Sequence, residues 1–122
     1  RRSSDLSGNN ATITDANGLN LGTVDAGGNL AVTANADGTS TGNLDLGTGT
    51  IGGNLVADSG NGNITQEGNL SVALTTDLNA GTGNIDLSSA GNDFGGTVNV
   101  SGNTITAQVV GNRSVNSITA AR

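Results

Sequence analysis

Short alternating apolar pairs return along this chain about every 21 residues. Leu30-x-Val32, Leu44-x-Leu46, Leu70-x-Val72-x-Leu74, Ile85-x-Leu87 and Val98-x-Val100 all alternate, the pattern of strands that bury one face. Most of these pairs follow a Gly-Asn dipeptide, which tolerates positive φ and makes a sharp corner. With 21 Gly and 18 Asn in 122 residues, a helical fold is set aside, since both are poor helix formers.

Fixed-period columns can be laid through the pairs. One runs Val24, Leu44, Ile64, Ile85, Ile105; a second runs Leu30, Ile51, Val72, Phe94, Val115; a third runs Ile13, Ala34, Leu55, Leu78, Val98, Ile118. A glycine column at Gly22, Gly42, Gly62, Gly83 and Gly102 accompanies the first. Three inward columns with corners between them predict an all-β solenoid, a parallel β-helix of five to six coils. Stacking at ~4.8 Å per coil gives a rod roughly 25 Å long. Phe94, the sole aromatic residue, is expected in a wider coil. Asn43, Asn63 and Asn84 stand in phase and are expected to form an amide ladder inside or beside the corners. Residues 1–122 read as one β-helix segment, a slice of a longer rod. A longer offset, matching Ser7-Gly8-Asn9 to Ser101-Gly102-Asn103 and Leu21 and Val24 to Val115 and Ile118, suggests a larger repeat.

Composition removes whole classes of function. Leu, Ile, Val and Phe together supply only about a fifth of the chain, close to the share at which chains stay disordered. Low charge and the absence of proline argue against disorder. Cysteine and histidine are both absent, which removes disulfides, thiolate sites and the commonest general base. The only basic residues are Arg1, Arg2, Arg113 and Arg122, and net charge is −6. Nucleic acid is therefore not expected as a partner. No apolar run reaches the ~18 residues of a membrane span, so no membrane insertion is expected. An enzyme of the β-helix lyase kind would need clustered carboxylates beside a basic group, and the basic groups here lie near the ends. No enzyme activity or resident cofactor is expected.

Three stretches resemble the repeat regions of filamentous haemagglutinin-like exoproteins, the adhesins of two-partner secretion. They are Leu19-Asn-Leu-Gly-Thr-Val-Asp-Ala-Gly-Gly-Asn-Leu-Ala-Val-Thr33, Gly62-Asn-Ile-Thr-Gln-Glu-Gly-Asn-Leu-Ser-Val72 and Gly91-Asn-Asp-Phe-Gly-Gly-Thr-Val-Asn-Val-Ser-Gly-Asn103. The resemblance implies a right-handed parallel β-helix stem, the hand that parallel crossovers also favour. It further implies an extracellular place on a bacterial cell surface, serving adhesion, biofilm formation or display of an effector region. The partners it implies are neighbouring coils of the same or identical chains, and host-cell or biofilm surface receptors. The alternative is a self-assembling extracellular filament, because open strand edges template further pairing.

Acidic residues recur along the rod. Asp25, Asp45 and Asp86 each follow a residue of the first column, with Thr65 and Glu67 in the remaining coil, and Asp15, Asp37, Asp58 and Asp77 make a second series. The first reading is a solvated face that keeps a rod soluble. The second is calcium held between coils by Asp25, Asp45 and Asp86, since hard cations prefer oxygen. Gly81-Thr-Gly-Asn-Ile-Asp-Leu87 partly matches the calcium-binding nonapeptide, though corner glycines explain it as well. Thr-x-Thr pairs at Thr12/Thr14, Thr39/Thr41, Thr48/Thr50 and Thr104/Thr106 read as ordinary β-propensity rather than an ice-binding face.

Overall fold

The computed structural model describes residues 5–6, 10–38, 42–88, 91–107 and 114–120. Every described strand lies in one of three parallel sheets. The first contains β1 (Asp5–Leu6), β4 (Thr23–Ala26), β7 (Thr48–Ile51), β10 (Leu70–Val72) and β13 (Asp93–Phe94). The second contains β2 (Ala11–Thr14), β5 (Leu30–Thr33), β8 (Leu55–Asp58), β11 (Thr76–Asn79), β14 (Thr97–Gly102) and β16 (Ser114–Ala120). The third contains β3 (Leu19–Asn20), β6 (Leu44–Asp45), β9 (Ile64–Thr65), β12 (Ile85–Leu87) and β15 (Ile105–Ala107). The chain visits the sheets in that order five times, and β16 adds a sixth level to the second. The first and fifth levels lie four turns apart, at about 22 residues per turn. This is the expected β-solenoid.

Alternation puts one face of each strand inside. In β14 every second residue, Val98, Val100 and Gly102, is buried, and its neighbours are only half-covered. The rows stack by register. Leu19, Leu44, Ile64, Ile85 and Ile105 form the third sheet's inner row, and the first four are 2% exposed or less. A fully buried aliphatic side chain of this size contributes ~1.5–3 kcal/mol, and Leu44, Ile64 and Ile85 are each flanked by strands of the coils above and below. In the first sheet Ala26, Ile51, Val72 and Phe94 follow one another. Phe94, the largest of them, follows Val72 in this row and is fully buried.

The register corrects the columns near the start of the chain. Leu19, not Val24, precedes Leu44; Val24 sits in the first sheet opposite Gly49. Ala26, not Leu30, precedes Ile51, while Leu30 and Val115 belong to the second sheet with Leu55 and Val98. The third column mixes two neighbouring rows of that sheet. Ile13, Val32, Ala57, Leu78, Val100 and Ile118 form one, and Ala11, Leu30, Leu55, Thr76, Val98 and Val115 the other. Ala34 lies just past β5, its N–H donating to the Asp58 carbonyl. Gly42, Gly62 and Gly83 do stack, but over Gly18, while Gly22 underlies Gly47 and Gly102 closes β14. The longer offset is not structural: Val24 lies in the first sheet and Ile118 in the second. Ser7-Gly8-Asn9 lies outside the described residues.

For Val24, Leu30 and Ala34 the cause is extra length in one connection. The step from Leu30 to its partner Leu55 is distinctly longer than the next one, from Leu55 to Thr76. The surplus falls between the end of β5 at Thr33 and the start of β6 at Leu44, a separation about twice that between β8 and β9 or β11 and β12. A fixed period read across that corner slips by several positions.

Candidate functional site

The outward side chains of the third sheet run Asn20, Asp45, Thr65 and, one coil on, Asp86 beside Thr106. Two of these strands end in tight corners. Asn20 Oδ1 accepts the Gly22 N–H at 3.0 Å, and Asp45 Oδ1 accepts the Gly47 N–H at 2.8 Å. These side chains thus replace the backbone partner that a turning strand gives up. Gly47 takes φ +72 there, and a Cβ on it would overlap the Gly22 carbonyl, so only glycine fits.

Asn20, Asp45 and Thr65 line an open depression of about 350 Å³ with Gly18, Leu19 and Asn43. Glu67 reaches the same edge, its Oε2 accepting from Asn20 Nδ2 at 3.3 Å. The Asp45 carboxyl is raised above the ordinary carboxylate range, first by burial; the Gly47 N–H opposes the rise and the Glu67 carboxylate adds to it. The fold therefore weakens one acid at this edge, as expected when like charges meet at a half-dry surface.

The three calcium candidates are not brought together. Asp25 lies on the first sheet opposite Thr50, Asp45 on the third opposite Thr65, and Asp86 on the third opposite Thr106. Neutral residues separate carboxylates along the outer rows: Asp25, Thr50, Ser71 and Asp93 on the first sheet, and Val56, Asp77 and Asn99 on the second. The expected stacking of carboxylates on successive coils is therefore corrected, because neutral neighbours interrupt each series. Among the described residues no group of three acidic side chains is placed to hold a metal ion. The Thr39/Thr41 pair and all four arginines lie outside the described residues.

Asparagine does more than the sequence pattern indicates. Asn63 Oδ1 accepts the Asn84 N–H at 2.8 Å, and Asn84 Oδ1 accepts the Thr104 N–H at 3.2 Å. This ladder is exposed and runs beside the corners, from side chain to backbone. A second ladder links Asn10 to Asn29, Asn29 to Asn54 and Asn54 to Thr75 by the same bond, at 2.8, 2.9 and 3.0 Å. These corner N–H groups, which have no strand partner, are thus met by an amide oxygen of a neighbouring coil.

Sequence reading also missed three amides that work inside the rod. Gln66 occupies a position next to β9 that Leu46 fills one coil earlier, as the Leu46 N–H bond to the Thr65 carbonyl places it. It exchanges two bonds with the fully buried Asn92, at 2.8 and 2.9 Å. Asn92 also accepts the Leu70 N–H and donates to the Leu87 carbonyl. Asn35, 3% exposed at φ +55, donates through Nδ2 to the Gly42 and Ser59 carbonyls at 2.8 and 2.7 Å. It pins the long corner to the next coil. Corner chemistry at Gln66 and Asn92 looks like any polar loop in one dimension, so no signal marked them. The surplus length before Leu44 was the one clue to Asn35.

Parallel coils, aliphatic rows and asparagine ladders define a β-solenoid repeat protein. Residues 8–42 and 34–101 match the family described as repeats of unknown function (DUF5649), and the chain belongs to it. No curated protein and no solved structure matches the chain. Among the described residues no helix is long and apolar enough to cross a membrane.

Proposed function

We propose that the chain is a stem segment of a secreted, cell-surface, adhesin-like exoprotein, projecting adhesive or effector regions outward. One observation carries this reading: the repeat is used up in stacking. The inward rows fill the axis of the rod, the corner asparagines bond neighbouring coils, and the outer rows intersperse neutral and acidic side chains. Such a segment sets length and stiffness rather than chemistry. Its resemblance to haemagglutinin-like repeats supports an extracellular place, with host-cell or biofilm receptors as the distal partners.

The test is to duplicate one coil, residues 64–84, in the natural host protein and to probe intact cells with an antibody to this segment. The expected result is surface labelling, a rod longer by ~4.8 Å, and retained adhesion. A segment found only inside cells, or adhesion abolished by one added coil, overturns the stem reading. Light scattering of the isolated chain addresses the filament alternative: long fibres would favour it, monomers the stem.

A further inference from the structure

We propose that the Gln66–Asn92 amide pair is a register check built into the core, admitting only the stack in which the fourth turn lies between the third and the fifth. Its setting is otherwise aliphatic. Gln66 stands in the third sheet's inner row between Leu46 and Leu87, as the pairing of Ile64 with Ile85 places it. Asn92 immediately precedes Asp93, the partner of Ser71, and so stands opposite Leu70 in the first sheet's inner row. Each row thus exchanges one aliphatic residue for an amide. The two amides are 26 residues apart, just over one turn.

Burial alone does not choose among turns. It is non-directional, and the inner rows offer aliphatic partners at every level. Were the fourth turn skipped, Ile64 would meet Ile105, Leu55 would meet Val98, and Ile51 would meet Phe94. The exposed asparagine ladders do not discriminate either, because their oxygens accept backbone N–H groups, which every coil presents. Asn20–Glu67 and Asn84–Asn103 join side chains of different coils, but in the open, where water replaces a lost partner.

The buried pair does discriminate. Asn92 Nδ2 donates to the Leu87 carbonyl at 3.1 Å and to Gln66 Oε1 at 2.9 Å. Its Oδ1 accepts the Leu70 N–H at 3.0 Å and Gln66 Nε2 at 2.8 Å. Both donors and both lone pairs of a fully buried amide are therefore in use. Leu70 begins β10 and Leu87 ends β12, so two of the four bonds exist only when the fourth turn is in place. Gln66 Nε2 gives its second donor to the Gly68 carbonyl at 2.8 Å, at the entry to the same turn. A skipped turn strips Asn92 of these partners and leaves its amide unmet in an aliphatic core. A single buried polar residue sets register in coiled coils by the same physics.

The experiment uses the full chain, which contains no cysteine of its own. Ser71→Cys with Asp93→Cys reports the native stack, since these outward residues pair directly. Thr50→Cys with Asp93→Cys reports a skipped turn, because Thr50 lies two levels from Asp93. That separation is about 10 Å at ~4.8 Å per level, beyond the ~7 Å that a disulfide can bridge. Each reporter is placed in the parent and in the Gln66→Leu/Asn92→Leu double variant, refolded from urea under oxidising conditions and mapped. In the parent only the native-stack reporter should close. In the double variant closure of the skipped-turn reporter should rise about tenfold or more, while the chain still melts cooperatively. The double variant should also lose less melting temperature than the two single variants combined, as coupled partners do. A skipped-turn yield no higher than the parent's, additive losses, or a double variant that no longer folds would overturn the proposal.

Discussion

The stack from β8 onward and the part before it solve the same problem under different constraints. From Leu55 to Thr76 to Val98 the second sheet advances in nearly equal steps. Before β8 the steps are uneven: the one from Ala11 to Leu30 is short, and the one from Leu30 to Leu55 is long. The earlier part holds its register with special devices. Asn35 plugs the long corner, Gly47 sits against Gly22 where no side chain fits, and Gly49 interrupts the row between Val24 and Leu70. The later part relies mainly on rows of Leu, Ile and Val. A regular period is carried mainly by burial, with Gln66 and Asn92 closing one corner; the interrupted one also needs Asn35 and close-packed glycines to restore phase.

The largest effect should come from the regular stack. Ile85→Asp places a charge where 1% of the side chain is exposed, between Ile64 and Ile105, with no partner for it. The cooperative melt followed by circular dichroism should disappear, because the whole marginal stability of a domain is at stake. An unchanged melt would show that the later rows do not form the core.

Next come two glycines that separate conformation from space. Gly47→Ala must carry a Cβ into the Gly22 carbonyl at positive φ, and should cost about 3 kcal/mol or more. Gly38→Ala keeps positive φ, +80, with nothing within 4 Å of its Cβ, and should cost ~1–2 kcal/mol. Denaturant midpoints of the two variants should rank in that order, and equal midpoints would remove the close approach at Gly47 as a constraint.

Asn35→Ala leaves the Gly42 and Ser59 carbonyls without their donor and should cost ~1–3 kcal/mol. Its distinguishing mark is place. Amide exchange should quicken around Ala34 and Gly42 while Leu78 and Ile85 stay protected. Uniform loss of protection would mean that the earlier part is not a separate cooperative unit.

The smallest effect is electrostatic. With the Asp45 carboxyl raised in the fold by burial and by Glu67, the folded chain binds that proton more tightly than the unfolded chain does. Its contribution is therefore favourable in acid and declines as pH rises through the carboxylate range toward the raised value. Asp45→Asn keeps an acceptor for the Gly47 N–H and should raise the melting temperature slightly at neutral pH. That gain should vanish in acid, and a gain that persists there would point to another cause.

Where the period is even, the one-dimensional pattern places the third sheet's row and most of the first sheet's, while Leu78 is set in the row beside that of Leu55 and Val98, and Val115 falls in the second sheet. Ile64, Ile85, Ile105, Val72 and Phe94 fall in the rows their spacing predicts. Val24, Leu30 and Ala34 do not, because the extra residues between β5 and β6 shift phase while the alternation continues to look correct. The acidic edge was half legible. Asp45 and Asp86 share a sheet as their spacing implies, but Asp25 was carried to another face by the same slip.

Sequence alone determined that the chain coils, since alternating aliphatics at a near-constant interval can be buried only against their own repeats. It also set the corner residues, because Gly-Asn and Asx turns act within a few positions. Tertiary structure decided which coil each early residue joins, and which polar groups are drawn inside. Register is a property of neighbouring strands, and an amide such as Asn35 or Asn92 reveals its role only when a distant carbonyl is stacked against it.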